Sequence, residues 1–407
     1  MAHSEPRKWL AILGMGEDGV EGLTYGARTT IEQAALVIGG DRHLALAAEL
    51  IRGDRLSWPS PLTDAFPMIR ARRGQKVAVL ASGDPYCYGV AAALAALVPA
   101  EETICIPSPS AFSLARARLG WAAQDVSTLS ACGRPLEAVL PLLQPGRRIL
   151  VLSADAGTPA ALCGLLCRFG FGPSMVHVME ALGGPRERVR SAVAFDRLPP
   201  DVDPLNLLGI EVVASPDARV IPRSSGLPDA FFEHDGQITK QEIRALTLAA
   251  LAPRAGGLLW DIGCGSGSVA IEWALAHPAN RSIGIERRPD RADRARCNAL
   301  ALGVPLVRIV CGAAPTALAG LPQPDAVFLG GGLQHSGLLD VAWASLRAGG
   351  RMVANAVTVE SQAELFAAHQ VHGGALTRLS VERLDALGAH RVFRPAMAIV
   401  QWAATKP

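Results

Sequence analysis

The chain has 407 residues, of which half are apolar, 19% are charged and 5% are aromatic, with a formal net charge of +2. That length exceeds one ordinary domain and sets a prior of two domains of about 200 residues, each with a large buried core. The near-neutral balance without a basic block argues against nucleic acid as a partner, and no apolar run nears the length that spans a bilayer.

The start, Met1 to Trp9, is polar and leads into a short strand, unlike the apolar core of a signal peptide, so a cytoplasmic protein is expected. The eight cysteines (Cys87, Cys105, Cys132, Cys163, Cys167, Cys264, Cys297 and Cys311) are scattered and form no C-x-x-C pair. They read as free reduced thiols, with Cys163 and Cys167, one helical turn apart, as a pair of small buried ones. Without further Cys or His nearby, no metal site is expected.

In the first half, strands are predicted at 9–13, 36–38, 77–80, 103–106, 149–152, 175–179 and 205–214, with helical stretches at 89–97 and 110–119. Gly14-Met15-Gly16-Glu17-Asp18-Gly19 follows the first strand in the pattern G-x-G-x-x-G, and Asp41 follows the second. Glu17 and Asp18 would stand where a pyrophosphate docks, and Gly19 and Gly22 interrupt any helix that follows, so this run is not read as a dinucleotide site. Polar or glycine-rich turns at 81–89, 106–111, 129–134 and 180–188 each follow an apolar strand. Ligands collect outside the carboxyl ends of strands in open α/β sheets, so these turns read either as one shared cleft or as loop punctuation.

Residues 215–228 are rich in Pro, Ser and Gly and sustain neither helical nor strand periodicity. They divide a domain at 1–214 from one at 229–407. In the second half, strands are predicted at 258–260, 282–285, 307–310, 326–329, 351–354 and 397–402, with helices at 268–277 and 290–302. Gly236 to Arg244 contains Thr239 and Glu242 at the spacing of a capping box, opening a helix that runs to Leu251 and can cover a bound ligand.

The run Asp261-Ile262-Gly263-Cys264-Gly265-Ser266-Gly267 joins strand to helix, and Glu286 ends the next strand. The glycines allow close approach of a ligand to the backbone, and an acid at the next strand tip suits the hydroxyls of a ribose. The spacing D-x-G-x-G-x-G differs from both the dinucleotide and the P-loop patterns. This run resembles the donor turn of methyltransferases that use S-adenosylmethionine, in which an Asp at the third strand tip often meets adenine; Cys311 to Pro315 offers only Ala there. The fourth, Asp325 to Gly332, carries three glycines and no Asn/Asp-Pro-Pro-aromatic run, which argues against methylation of DNA or glutamine and leaves space for a bulky substrate. Leu346 to Arg351 reads as a structural turn.

The G-x-G-E-D-G start, the S-G-D-P-x-x-Y-G run and the E-x-L-G-G-P-x-E-R segment resemble the tetrapyrrole (corrin/porphyrin) methylase family over residues 7–214. The Q-I-T-K-Q-E-I-R, D-I-G-C-G-S-G-S and P-D-A-V-F-L-G-G-G runs are similar to decarboxylating precorrin methyltransferases of cobalamin synthesis over residues 229–407. The resemblance implies an α/β protein of two domains: a tetrapyrrole-methylase-like domain, then a Rossmann-like class I methyltransferase domain. It implies two S-adenosylmethionine sites per chain. The first lies around Gly83, Asp84 and Pro85 with Ser110 and Ala111. The second is formed by Thr239, Gly263, Cys264, Gly265, Ser266, Gly267, Glu286 and Ala314.

The implied reaction is methylation of a precorrin at carbons 5 and 15, the first domain taking carbon 5, with loss of carbon dioxide from the ring C acetate. A homo-oligomer is also implied. Such a substrate carries several carboxylates, for which Arg42, His43, Arg134, Arg186 and Arg188 are candidate anchors. No general acid or base is singled out. The family pattern S-x-H-G-R reads here Ser130-Ala131-Cys132-Gly133-Arg134, so no His-dependent step is expected at 132. Two other readings stay open: a methyltransferase for another small molecule in which the first half is a scaffold, and a non-catalytic tetrapyrrole carrier.

Overall fold

The computed structural model describes residues 8–196, 198, 200–335 and 337–407. Met1–Arg7, on which the reading of the polar start rests, lies outside the described residues. The chain divides into two compact units, Met1–Arg134 with Gln144–Arg219, and Pro135–Leu143 with Val220–Pro407.

The first unit opens with β1 (Leu10–Met15), α1 (Tyr25–Glu32), β2 (Leu36–Gly39), α2 (Asp41–Leu46), β3 (Asp54–Ser57), α3 (Phe66–Ala71), β4 (Val77–Ser82), α4 (Ala91–Ala95) and β5 (Thr103–Ile106). These strands make a parallel sheet in the order β3-β2-β4-β1-β5. Its central strands read L-A-I-L-G-M and V-A-V-L-A-S, nearly continuous apolar runs, because both faces are buried. Then come α5 (Ala111–Leu119), β6 (Val126–Ser130), β7 (Arg148–Leu152), α6 (Thr158–Arg168), β8 (Met175–Glu180), β9 (Arg188–Val193) and β10 (Asn206–Glu211). They form a mixed sheet, β6-β7-β10-β8-β9, in which only β6 and β7 run parallel.

β3, β6 and β9 were not expected from the sequence. All three are edge strands, and their polar, largely unburied residues carry little hydrophobic signal. The buried pair expected at Cys163 and Cys167 is corrected in part: Cys163 is buried, whereas Cys167 sits on the solvent side of α6. The fully buried carboxylate of Glu180 is held by Arg188 Nη2 (2.7 Å), Arg190 Nε (2.9 Å) and the Asp203 N–H (2.8 Å).

The second unit contains α7 (Gln241–Leu251), β11 (Leu258–Ile262), α8 (Ser268–Ala276), β12 (Arg281–Glu286), α9 (Pro289–Ala301), β13 (Arg308–Cys311), β14 (Ala326–Leu329), α10 (Leu338–Ser345), β15 (Arg351–Ala356), α11 (Val359–His372), β16 (Ala375–Leu379), β17 (Glu382–Leu387), β18 (His390–Pro395) and β19 (Ile399–Thr405). Its seven-stranded sheet runs β13-β12-β11-β14-β15-β19-β16, parallel as far as β15, with β19 antiparallel to both neighbours. β17 and β18 pair as a separate hairpin. Its residues are almost all exposed, apolar Leu384, Leu387 and Phe393 included, so like edge strand β16 it shows no clean alternation of buried apolar and polar positions and was not expected from the sequence. Among the described residues no helix is long and apolar enough to cross a membrane.

Residues 215–228 hold no helix or strand. Their first part closes on the first unit, with the Ser215 N–H on Gly170 O (2.8 Å) and the Arg219 N–H on Phe169 O (3.0 Å). Their last part is tied into the second unit by a buried ion pair. Glu272 accepts from Arg244 Nε (2.5 Å) and from the N–H groups of Gly226 (2.6 Å) and Leu227 (3.0 Å). Arg244, fully buried, also reaches Asp229 (3.1 Å) and the carbonyls of Leu227 and Thr239, and stacks on Phe232.

The capping box expected from Thr239 and Glu242 does not form. α7 starts at Gln241 with Lys240 at its N-cap position and no side-chain cap. Arg244 takes the Thr239 carbonyl, and the Glu242 carboxylate pairs instead with Arg383. Arg244→Ala leaves the buried Glu272 without its cation and Asp229 with Lys240 alone (3.8 Å), so it is expected to lower the opening free energy of α7 and α8 by about 3 kcal/mol. Hydrogen exchange on the full chain measures this; a loss below about 1 kcal/mol would contradict the anchoring role.

Candidate functional site

In the first unit the carboxyl ends of β1, β4 and β5 meet almost without side chains between them. A Cβ on Gly14 would clash with Gly83 O and lie 2.5 Å from Ser108 N. Gly83 adopts φ +53, and its Cβ would fall 2.8 Å from Pro109 O, so both positions demand glycine. The crossing is pinned by the Gly83 N–H on Met15 O (3.0 Å), the Ser108 N–H on Gly83 O (3.1 Å) and Ser108 Oγ on Gly14 O (2.8 Å). Beside it opens a cavity of about 410 Å³, within the range of small-molecule sites.

Gly83, Asp84, Ser110 and Ala111 line this cavity, as do Arg42 and His43. Asp84 Oδ1 accepts from the Tyr86 N–H (2.9 Å), and Ser110 caps α5 by accepting from the Ser113 N–H (3.1 Å). Pro85 stands outside the lining; its carbonyl accepts from the Ala91 N–H (3.1 Å) and shapes the loop. Arg42 pairs with Glu17 and donates to Ser82 Oγ (3.0 Å). His43 Nε2 lies 3.0 Å from Ser82 Oγ and 3.1 Å from Arg42 Nη2. Burial, reinforced by the Arg42 charge, pushes His43 down to about 4, so its ring is neutral at neutral pH.

The G-x-G-x-x-G run is followed by a single 3-10 turn, Gly19–Gly22, and no α-helix begins before Tyr25. Its Glu17 is spent on Arg42 and Arg186. Of the other cations, Arg186 pairs with Asp203 and Glu17, Arg188 belongs to the Glu180 clamp, and neither lines the cavity. Arg134 stacks on Tyr88, which does line it. Cys132 also lines it and donates to Ser153 O (3.2 Å).

Ser153 and Asn206, not expected from the sequence, line the same cavity, and their buried Oγ and Oδ1 lack partners among the described residues. A lone Ser after β7 and a lone Asn opening β10 look like ordinary turn residues, so no signal marked them.

In the second unit Gly263, Gly265 and Gly267 all have left-handed backbones, φ +74, +56 and +77, which accounts for the three glycines. The N–H groups of Gly263 and Cys264 both donate to Ile285 O (2.9 and 3.1 Å), folding the turn onto β12. Gly284 packs beneath it, where a Cβ would press on Cys264 Sγ and Ile309 Cδ1, both at 2.8 Å. Glu286 is buried, and two backbone groups fix its carboxylate: Gly265 N–H on Oε2 and Arg288 N–H on Oε1, both 3.0 Å.

These residues border a cavity of about 670 Å³. Thr239, Gly263, Cys264, Gly265, Glu286 and Ala314 line it, as do Gly330, Gly331 and Gly332. A Cβ on Gly331 would meet nothing within 4 Å, so this tip is open space. Ser266 and Gly267 stand outside the lining. Ser266 O accepts from Asn298 Nδ2 (2.9 Å), and Gly267 opens α8, where a Cβ would press on Ala295. Asn355 and His335 also line the cavity, and nothing in their sequence surroundings marked them. Among the described residues no cluster of three or more His, Cys, Asp or Glu is placed to hold a metal ion.

Asp261 lies fully buried under the glycine turn. Oδ2 accepts from the Ala270 N–H (3.0 Å), while Oδ1 has no partner among the described residues. Burial, with a smaller push from the Glu286 charge, raises its pKa to about 7. Burial likewise pushes the Cys264 thiol well above its usual range, so it is a thiol and not a nucleophilic thiolate at neutral pH. A carboxyl that titrates near 7 folded and near 3.8 unfolded binds more protons in the folded state between those values. Stability therefore falls as pH rises through that window. Asp261→Asn is expected to flatten the decline in thermal midpoint between pH 5 and pH 7; an unchanged slope would contradict the buried titration.

The chain matches the family model described as precorrin methyltransferase domain over residues 230–406. It matches the model described as tetrapyrrole (corrin/porphyrin) methylases over residues 10–196. It is 50% identical to a precorrin-6Y C(5,15)-methyltransferase [decarboxylating] from Sinorhizobium sp., over 100% of this chain and 99% of that one. The second half is similar to a cobalt-precorrin-6B C(15)-methyltransferase (decarboxylating) from Salmonella typhi, 36% identical over 39% of this chain and 83% of that one. A solved structure, the C-terminal domain of precorrin-6Y C5,15-methyltransferase from Rhodobacter capsulatus, is 48% identical and covers 46% of this chain and 100% of its own, with a TM-score of 0.44. Matched from end to end by a relative at half identity, and carrying both domain types in this order, the chain belongs to the family of decarboxylating precorrin-6Y C(5,15)-methyltransferases.

Proposed function

We propose that the chain methylates a precorrin at carbons 5 and 15 and releases carbon dioxide from its ring C acetate, with one S-adenosylmethionine site in each unit. The observation that carries this reading is the Glu286 carboxylate, oriented by the Gly265 and Arg288 N–H groups at the rim of the glycine turn. The donor fits that arrangement, because a ribose presents two hydroxyl donors to a carboxylate whose remaining lone pairs face the cavity. Ala313 and Ala314 offer an apolar wall for an adenine. The second support is a separate cavity in the first unit, built around Gly83, Asp84, Ser110 and Ala111.

When bound, the donor supplies an electrophilic methyl group on a sulfonium. The chain's own part is positioning, since a reduced tetrapyrrole already offers nucleophilic enamine-like bridge carbons. No strong base is needed at 132, which agrees with Cys132 donating to a backbone carbonyl. In the first unit, the neutral ring of His43 adds no charge next to Arg42 at the cavity wall. In the second, the open tip at Gly331 leaves room for a macrocycle. Decarboxylation breaks the bond between the acetate methylene and its carboxyl carbon. The electron pair passes into the conjugated ring, and a proton from solvent completes the methyl group. The relative matching the second half alone is named for methylation at carbon 15 with decarboxylation, which supports assigning that step to the second unit.

Titrating the full chain with S-adenosylhomocysteine by calorimetry is expected to show two sites. Glu286→Gln should weaken one by about tenfold, and Gly83→Ala should weaken the other to a similar degree. One site in the parent chain would favour a scaffold role for the first unit, and none would sink the methyltransferase assignment.

A further inference from the structure

Tyr88 has φ +57, a left-handed backbone that bulky residues rarely adopt and that glycine adopts freely. The loop around it dictates this conformation. The Tyr86 N–H donates to Asp84 Oδ1 (2.9 Å), the Cys87 N–H to Asp84 O (3.0 Å) and the Ala91 N–H to Pro85 O (3.1 Å). Gly89 is packed so closely that a Cβ would clash with the Pro85 carbonyl. Glycine would therefore serve the backbone better at 88, and the presence of an aromatic ring there calls for a use of the ring.

The ring is 47% exposed and lines the first unit's cavity. It packs edge-on to Phe112, centroids 5.9 Å apart, and its hydroxyl points at Thr128 O (3.4 Å). The Arg134 guanidinium lies over it, 5.0 Å from the centroid. A stacked guanidinium keeps its in-plane N–H donors free for a carboxylate. Those of Arg134 are uncommitted: among the described residues no carboxylate comes within ion-pair distance of it. Arg42, Arg186 and Arg188 are in contrast already paired with Glu17, Asp203 and Glu180.

We propose that Tyr88 is a positioning residue that holds the Arg134 guanidinium over its cavity-lining ring to receive one carboxylate of the macrocyclic substrate. This rests on the reading that the first unit methylates a precorrin. The strain at 88 is then the cost of a preset anchor, and Arg134 is the residue that touches substrate.

The test compares the full-length parent with Tyr88→Gly, Tyr88→Phe and Arg134→Lys. It measures both equilibrium binding of a precorrin polycarboxylate by absorbance and steady-state methyl transfer to carbon 5. Tyr88→Gly is expected to weaken binding and raise KM about fivefold with kcat within about twofold, while thermal stability holds or rises as the backbone relaxes. Tyr88→Phe keeps the stacking face and should stay within about twofold of the parent. Arg134→Lys should resemble Tyr88→Gly, because an ammonium neither stacks nor forks. Parental binding and KM in Tyr88→Gly, or equal damage in Tyr88→Phe, would overturn the proposal. A parent that binds the precorrin without methylating it would contradict the functional reading and leave the Tyr88 comparison readable by binding. A parent that does not bind it would sink both.

Discussion

Both cavities exist because backbone meets backbone at the carboxyl ends of parallel strands, where no Cβ can stand. In the first unit the tips of β1, β4 and β5 cross at Gly14 and Gly83; in the second, the turn after β11 brings the left-handed Gly263 against the backbone of Gly331, whose N would lie 3.3 Å from a Cβ at 263. Side chains at these positions would force the strands apart and fill the space a ligand needs. The parallel sheets aim several such tips at one place, so the cavities follow from the topology and the glycines from the cavities.

The charges around these cavities are mostly spoken for. Glu17, Glu180 and Asp203 hold Arg42, Arg188 and Arg186, and this keeps the first unit's loops in place. In the second unit, Asp261 titrating near 7 spares the site a full second negative charge beneath Glu286 at neutral pH and below. The fixed Arg244–Glu272 pair does different work. It secures the segment that enters α7, and so sets where Thr239 and Lys240 approach the second cavity.

What the sequence made legible follows the same physics. D-x-G-x-G-x-G could be read because each glycine answers a left-handed φ, and a central strand such as β1 could be read because burial on both faces leaves a continuous apolar run. Edge strands β3, β6 and β9 could not, since exposure removes that pattern. The Thr239/Glu242 spacing suggested a capping box because local spacing cannot show that Arg244 and Arg383 claim the groups concerned. Ser153 and Asn206 are defined only by what surrounds them in three dimensions. Tyr88 lay within a motif that was recognised, but its strain is a property of backbone angles that a letter does not carry.

On the proposed function, one chain carries out two methylations and one decarboxylation in two separate cavities. Incubating the full chain with the reduced precorrin and isotopically labelled donor, and counting labelled methyl groups and carbon dioxide, measures it directly. Two methyl groups and one carbon dioxide per macrocycle are expected. One methyl group per macrocycle, or two without loss of carbon dioxide, would contradict it.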